Sequence, residues 1–72
     1  MEESQKVAIL LARAEEVRRL ALDELDTVAR QTSTWGSKEH RDGRDKVEAS
    51  NAAETLRLQR LDTAALDLEL AQ

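Results

Sequence analysis

The spacing of apolar residues in the first 31 positions is the feature that most constrains this chain. The apolar residues recur mainly at intervals of three and four: Val7, Leu10, Leu11, Ala14, Val17, Ala21, Leu25 and Val28. Such intervals place side chains on one face of an α-helix, whereas a strand requires alternation. We therefore predict one helix over residues 3–31, with Ser4 as its candidate N-cap.

The segment 32–36, Thr-Ser-Thr-Trp-Gly, interrupts this pattern. β-Branched and hydroxyl residues followed by Gly36 are typical of a helix stop and a tight turn. Ser37 has the side chain of an N-cap. The sequence therefore predicts a turn over residues 32–36 and a second helix over residues 37–70.

The polar beginning of the second helix leaves an alternative open. Four i,i+4 charge pairs each favour helix by roughly 0.3 kcal/mol: Lys38 with Asp42, Arg41 with Asp45, Asp42 with Lys46, and Arg44 with Glu48. Gly43 opposes helix by roughly 1 kcal/mol. The alternative is a longer loop, with the helix beginning at Asp45 or at Asn51, where Glu54 would complete a capping box. We favour the continuous helix.

The second helix carries apolar residues on two sides, which indicates more than one neighbour. One stripe comprises Val47, Leu58, Leu61, Ala65 and Leu68, and the other comprises Ala49, Ala52, Leu56, Thr63, Leu66 and Leu70. Folding the chain back near Trp35 places Val7 against Leu61, Leu10 and Leu11 against Leu58, and Ala21 against Val47. The predicted fold is a single all-α domain over residues 1–72, an antiparallel two-helix hairpin.

Such a hairpin would leave apolar side chains exposed, namely Ile9, Leu20, Leu56, Leu66 and Leu70. A chain of 72 residues rarely buries enough apolar surface to be stable alone, and with no cysteine it has no disulfide to compensate. We therefore expect a homo-oligomer, preferably a dimer that forms a four-helix bundle or coiled-coil assembly, or a heterologous protein partner. The candidate assembly residues are Leu10, Leu11, Val17, Leu25, Leu58, Leu61 and Leu68. The candidate partner surface comprises Trp35, Leu56, Leu66 and Leu70.

The sequence offers no motif for catalysis, a cofactor or a metal. It lacks a Ser/His/Asp constellation, a glycine-rich phosphate loop and zinc-ligand spacing. His40 is the only histidine, and position 37 is a serine, so the Glu-x-x-His motif of metal-binding bundles is absent. We interpret His40 as a solvated surface residue. We expect no catalytic, cofactor-binding or metal-binding residues.

Trp35, the only aromatic residue, has two interpretations. It covers the end of the bundle over Val28 and Thr32, which we favour, or it is an exposed anchor for a partner.

The charge pattern speaks against nucleic acid and membranes. The net charge is −4 with both signs interspersed, no apolar run reaches membrane-spanning length, and the N-terminus is acidic rather than signal-like. We expect a cytoplasmic, non-enzymatic protein-interaction module, such as an adaptor, a small chaperone or a regulatory protein. The alternative is a nucleic-acid-binding hairpin dimer that uses Arg41, Arg44, Lys46 and, further along, Arg57 and Arg60.

Overall fold

The structure, a computed structural model, describes all 72 residues as three α-helices without strands. Helix α1 spans Glu3–Gln31, α2 spans Lys38–Gln59 and α3 spans Thr63–Leu70. The all-helical class predicted from the sequence is confirmed. The molecule is elongated, with principal extents of 46 × 16 × 16 Å. Helix α2 packs antiparallel along α1, and α3 packs against α1 near Lys6.

Helix α1 begins two residues earlier than its predicted cap implied. Its N-cap is Glu2 rather than Ser4, and Gln5 Oε1 accepts a hydrogen bond from the Glu2 backbone N–H at 3.0 Å. This side chain satisfies a donor that would otherwise lack a partner at the helix start.

The C-terminal end of α1 is closed by Ser33, not by a glycine. The Thr34 N–H donates to the Ala29 carbonyl at 2.8 Å and the Ser33 N–H to the Arg30 carbonyl at 3.4 Å, the pattern of a Schellman motif. Ser33 has φ 57°, which strains a residue that carries a side chain. Gly36, the predicted stop, also has a positive φ of 80° but lies three residues further on, inside the turn.

Helix α2 begins where Ser37 predicted and continues through Gly43. The Ser37 Oγ accepts a hydrogen bond from the His40 N–H at 3.1 Å. A Cβ at Gly43 would lie 3.2 Å from Leu25 Cδ2, so the glycine accommodates a close approach of α1 and α2. The alternative of a loop through Gly43, with a helix beginning at Asp45 or Asn51, is therefore wrong.

The predicted continuous helix over residues 37–70 is wrong at its far end. Helix α2 ends at Gln59, and Asp62 caps a new helix by accepting the Ala65 N–H on Oδ1 at 2.9 Å. An aspartate side chain competes for backbone N–H groups and favours a cap over a helix interior. The break changes the helical phase of residues 63–70, so the two apolar stripes predicted there do not continue from α2.

The apolar core is small and lies at the α3 end of the molecule. Leu10, Leu58 and Leu66 form its centre, and five half-buried residues pack around them: Val7, Leu11, Ala14, Leu61 and Leu70. Leu10 and Leu58 meet in this cluster, as the register predicted. Only six of the 72 residues are buried, which leaves much apolar surface accessible along the rest of the molecule.

Candidate functional site

An open groove runs between α1 and α2, and we call it the α1–α2 groove. It has a volume of about 590 Å³. Its apolar lining comprises Leu10, Ala14, Val17, Ala21, Val47 and Leu58, and its polar lining comprises Arg13, Arg18, Lys46, Ser50, Asn51, Glu54, Glu69 and Gln72. Alanine and serine side chains are too short to fill the space between the two helix axes, so the groove stays open to solvent.

A second depression of about 400 Å³ continues the groove towards the turn. It shares Ala21 and Val47 with the α1–α2 groove and adds Glu24, Leu25, Val28 and Gly43. Together the two depressions follow one face of α1 from Leu10 to Val28. This is a shape that can receive another helix.

The candidate assembly residues fall into three groups. Leu10 and Leu58 are buried, whereas Leu11, Leu25 and Leu61 are half-buried between the helices. Val17, in the groove, and Leu68, on α3, are each 68% exposed. Of this set, Val17 is therefore the one strongly exposed apolar side chain that the groove presents.

The structure separates the residues proposed as a partner surface. Leu66 is 0% exposed at the centre of the core, so its assignment to an outer surface is wrong. Asp62 turns α3 onto α1, and this rotation carries Leu66 inward. Leu70 is half-buried against the same core, while Leu56 and Trp35 remain exposed. Of the other side chains expected to be exposed, Leu20 is exposed and Ile9 is half-buried.

Ion pairs link each helix to the other two. Arg18 Nε donates to Glu48 Oε1 across α1 and α2 at 2.7 Å, and Arg57 Nη1 donates to Glu69 Oε1 across α2 and α3 at 2.8 Å. Lys6 donates to Asp67 at 2.6 Å and holds α3 against α1. The hydrogen bond to Glu48 raises the pKa of Arg18, and hydrogen bonds to Glu54 and then to Glu69 raise the pKa of Arg57. The hydrogen bond from Arg57 lowers the pKa of Glu69.

Three charged side chains that line the depressions have no ion-pair partner in the chain. They are Arg13, Lys46 and Glu24. Arg13 makes only a long hydrogen bond of 3.5 Å, from Nη1 to the carbonyl of Leu70. The groove therefore presents unpaired positive charges, and the second depression an unpaired negative charge, beside apolar surface.

A second polar cluster closes the turn end of the molecule. His40 Nδ1 accepts the Gly36 N–H at 3.0 Å, so the neutral ring carries its proton on Nε2 and donates it to Asp26 Oδ1 at 2.8 Å. Arg44 Nη1 donates to both oxygens of Asp26 at 2.7 Å. His40 is only 8% exposed, so its interpretation as a solvated surface residue is wrong.

The hydrogen bonds from His40 and then from Arg44 hold the pKa of Asp26 below its ordinary value. Both ring nitrogens of His40 are occupied by groups of the chain itself. The cluster therefore fixes α1, the turn and α2 in position rather than presenting a free base.

Trp35 lies on the outside of this cluster. Its ring centroid is 4.7 Å from that of His40, and the guanidinium of Arg30 lies 5.1 Å above the tryptophan ring. The indole is nevertheless 57% exposed. It covers His40 at the end of the molecule, and Val28, which it was expected to cover, remains exposed.

The basic residues of the nucleic-acid alternative are divided between two environments. Arg44 is bound to Asp26, and Arg57 is bound to Glu54 and Glu69. Arg41, Lys46 and Arg60 form no ion pair. Of the predicted i,i+4 pairs, Lys38 with Asp42 forms at 2.8 Å, whereas Arg44 turns away from Glu48 to Asp26.

Sequence reasoning missed Asp26, Leu22 and Ala29, which the structure makes important, and it paired Arg44 with Glu48 instead of Asp26. Leu22 and Ala29 are buried although neither was counted in the predicted stripe of α1. Folding the chain near Trp35 places residue 26 close to residue 43, and His40 and Arg44 lie within one helical turn of that point. The predicted register therefore already placed the Asp26 carboxylate opposite a histidine and an arginine, which indicates a hydrogen-bonded cluster.

The structure contains neither a cluster of metal-ligating side chains nor a helix that could span a membrane. No group of three or more His, Cys, Asp or Glu side chains is placed to hold a metal ion. None of the three helices has the length and apolar content needed to cross a membrane. Comparison of the chain with protein-family models, curated proteins and solved structures gave no match.

Proposed function

We propose that this chain is a non-enzymatic protein-interaction module that assembles through the α1–α2 groove. In this proposal α1 and α2 form a hairpin, and two hairpins associate into a four-helix bundle. The observation that carries the proposal is the groove itself, about 590 Å³ of open space whose lining includes six aliphatic residues and which a second depression continues.

The small size of the core supports this proposal. The cluster around Leu66 lies at one end, and the middle of the helix pair contributes little buried area. Burying an exposed valine or leucine side chain stabilises by roughly 1.5–3 kcal/mol. Covering Val17 and Val28, which line the two depressions, would therefore add a sizeable part of the free energy of unfolding of a small domain.

Sedimentation analysis across a dilution series tests the proposal. The chain should sediment as a dimer at high concentration and dissociate on dilution. Its melting temperature should fall in parallel, because association stabilises only the folded state. A mass of one chain at every concentration, with a constant melting temperature, would rule out self-assembly.

A matched pair of variants locates the contact. Val17→Asp places a charge in the groove, whereas Leu56→Asp makes a comparable change at an exposed leucine of α2 that does not line the groove. Val17→Asp should yield a helical monomer and Leu56→Asp should leave the dimer intact. The reverse result would place the contact on the other side of α2.

A further inference from the structure

Nine residues of α1 line the two depressions, among them Arg13, Arg18 and Leu25. The other six form one stripe: Leu10, Ala14, Val17, Ala21, Glu24 and Val28. The intervals between them are four, three, four, three and four, which is a heptad pattern over nearly three repeats. Because this series of intervals is palindromic, two copies of α1 can be laid antiparallel with every layer matched.

The antiparallel match joins a large residue to a small one at its centre, where Val17 lies opposite Ala21 of a second copy. At its ends it places Leu10, which is only 5% exposed, opposite Val28. Alternation of large and small side chains across an interface allows close packing. The symmetry axis passes between Val17 and Ala21, so each contact occurs twice.

The same match explains a glutamate in an otherwise apolar series. Glu24 falls opposite Ala14 of the second copy, where a short side chain leaves room for it. Arg13 adjoins Ala14, and neither Arg13 nor Glu24 has an ion-pair partner within its own chain. Their charges are therefore complementary across the antiparallel match, and the long arginine stem can reach a carboxylate one position away.

We infer that the occupant of the α1–α2 groove is α1 of a second copy of this chain, antiparallel, with Arg13 of each copy paired to Glu24 of the other. This inference rests on the proposed function, since it requires self-assembly through the groove. It adds the orientation, the register and the pair of residues that selects them. A parallel match would instead place Arg13 near Arg13 and Glu24 near Glu24, which is repulsive.

Charge reversal tests the pairing. Arg13→Glu and Glu24→Arg each create two repulsive contacts in an antiparallel homodimer, so each should raise the dimer Kd by roughly ten-fold at low salt. The double variant restores both pairs and should return the Kd to within about three-fold of the original. Arg41→Glu and Glu39→Arg are matched controls, because these residues are exposed and lie outside the groove. They should leave the Kd unchanged.

Cysteine cross-linking tests the orientation independently, since the chain contains no cysteine of its own. An oxidised mixture of Arg13→Cys and Glu24→Cys should yield predominantly the mixed disulfide dimer. Self-linked dimers of each variant would show a parallel arrangement and overturn the inference.

The outcomes separate this inference from the proposed function. A wild-type chain that remains monomeric would contradict both the proposed self-assembly and the antiparallel register. A wild-type dimer whose Kd is insensitive to both charge reversals would support self-assembly and contradict the antiparallel register. A monomer that dimerises only with a helix of another protein defeats the second copy as the occupant.

Discussion

His40 Nε2 and Asp26 Oδ1 lie 2.8 Å apart and join the second helix to the first at the turn end of the molecule. Arg44 approaches the same carboxylate from the next turn of α2. A single carboxylate thus receives two donors from a neighbouring helix. This arrangement favours the ionised form of Asp26 in the folded state.

Acid should weaken the fold through Asp26. Its pKa in the folded state lies below its ordinary value of 3.8, so its contribution to stability is complete above that value. The contribution is lost as the pH falls through 3.8 towards the folded-state pKa. Urea unfolding at constant protein concentration, from about pH 7 to about pH 3, should show a decreasing free energy of unfolding.

The Asp26→Asn variant is the control for this assignment. It should be less stable than the wild type near neutral pH and should lose less stability in acid. Part of the acid dependence should remain, because hydrogen bonds from Arg57 also lower the pKa of Glu54 and Glu69. An acid dependence identical to that of the wild type would show that Asp26 does not contribute to it.

Leu66 and Leu68 should respond very differently to truncation. Leu66 is fully buried between Leu10 and Leu58, so Leu66→Ala should lower the free energy of unfolding by about 2–5 kcal/mol. Leu68 is exposed on the same short helix, and Leu68→Ala should change it by less than about 0.5 kcal/mol. Chemical denaturation at fixed protein concentration measures both. Equal losses would mean that α3 packs with another face inward.

Replacing Ser33 by glycine should stabilise the protein. Ser33 adopts a left-handed conformation at the end of α1, where glycine has no steric penalty. Ser33→Gly should raise the free energy of unfolding by about 0.5–1 kcal/mol, after allowing for the greater freedom of glycine in the unfolded chain. Gly36→Ala, at a positive φ of 80°, should lower it by about 1 kcal/mol. A loss of stability in Ser33→Gly would contradict the proposed strain at Ser33.

Gly43→Ala tests the close approach of the first two helices. Alanine favours helix over glycine by about 0.5–1 kcal/mol, and its Cβ would meet only the two methyl groups at the end of Leu25 and the adjacent Cγ. Leu25 is half-buried and can yield by a few tenths of an ångström. We expect a net gain of about 0.5 kcal/mol in thermal or urea unfolding. A net loss would show that Leu25 is held rigidly by its surroundings.

Periodicity predicted the fold where the helical pattern was unbroken and local. The apolar spacing indicated α1 over residues 3–31, and the structure places it at Glu3–Gln31. Ser37 marked the start of α2 because a hydroxyl cap acts on residues three positions away. The meeting of Leu10 with Leu58 followed from a fold near Trp35.

The break at Asp62 was missed because Leu61, Ala65 and Leu68 continue a helical spacing across it. Asp62 nevertheless has the side chain of a helix cap, and capping outweighed periodicity here. The cluster of Asp26, His40 and Arg44 was missed for a different reason. His40 and Arg44 lie 14 and 18 residues after Asp26 along the chain, so no local pattern indicates their contact with it.

The distribution of contacts along the long axis has a mechanical consequence. Leucine packing joins the helix pair at one end, and hydrogen bonds to the Asp26 carboxylate join it at the other. Between these ends, the Arg18–Glu48 ion pair links the two helices. The middle of the helix pair can therefore open locally while both ends remain packed. Backbone amide hydrogens near Ala21 and Val47 should exchange with solvent faster than those at either end of the helix pair. A helix bound in the groove would slow this exchange.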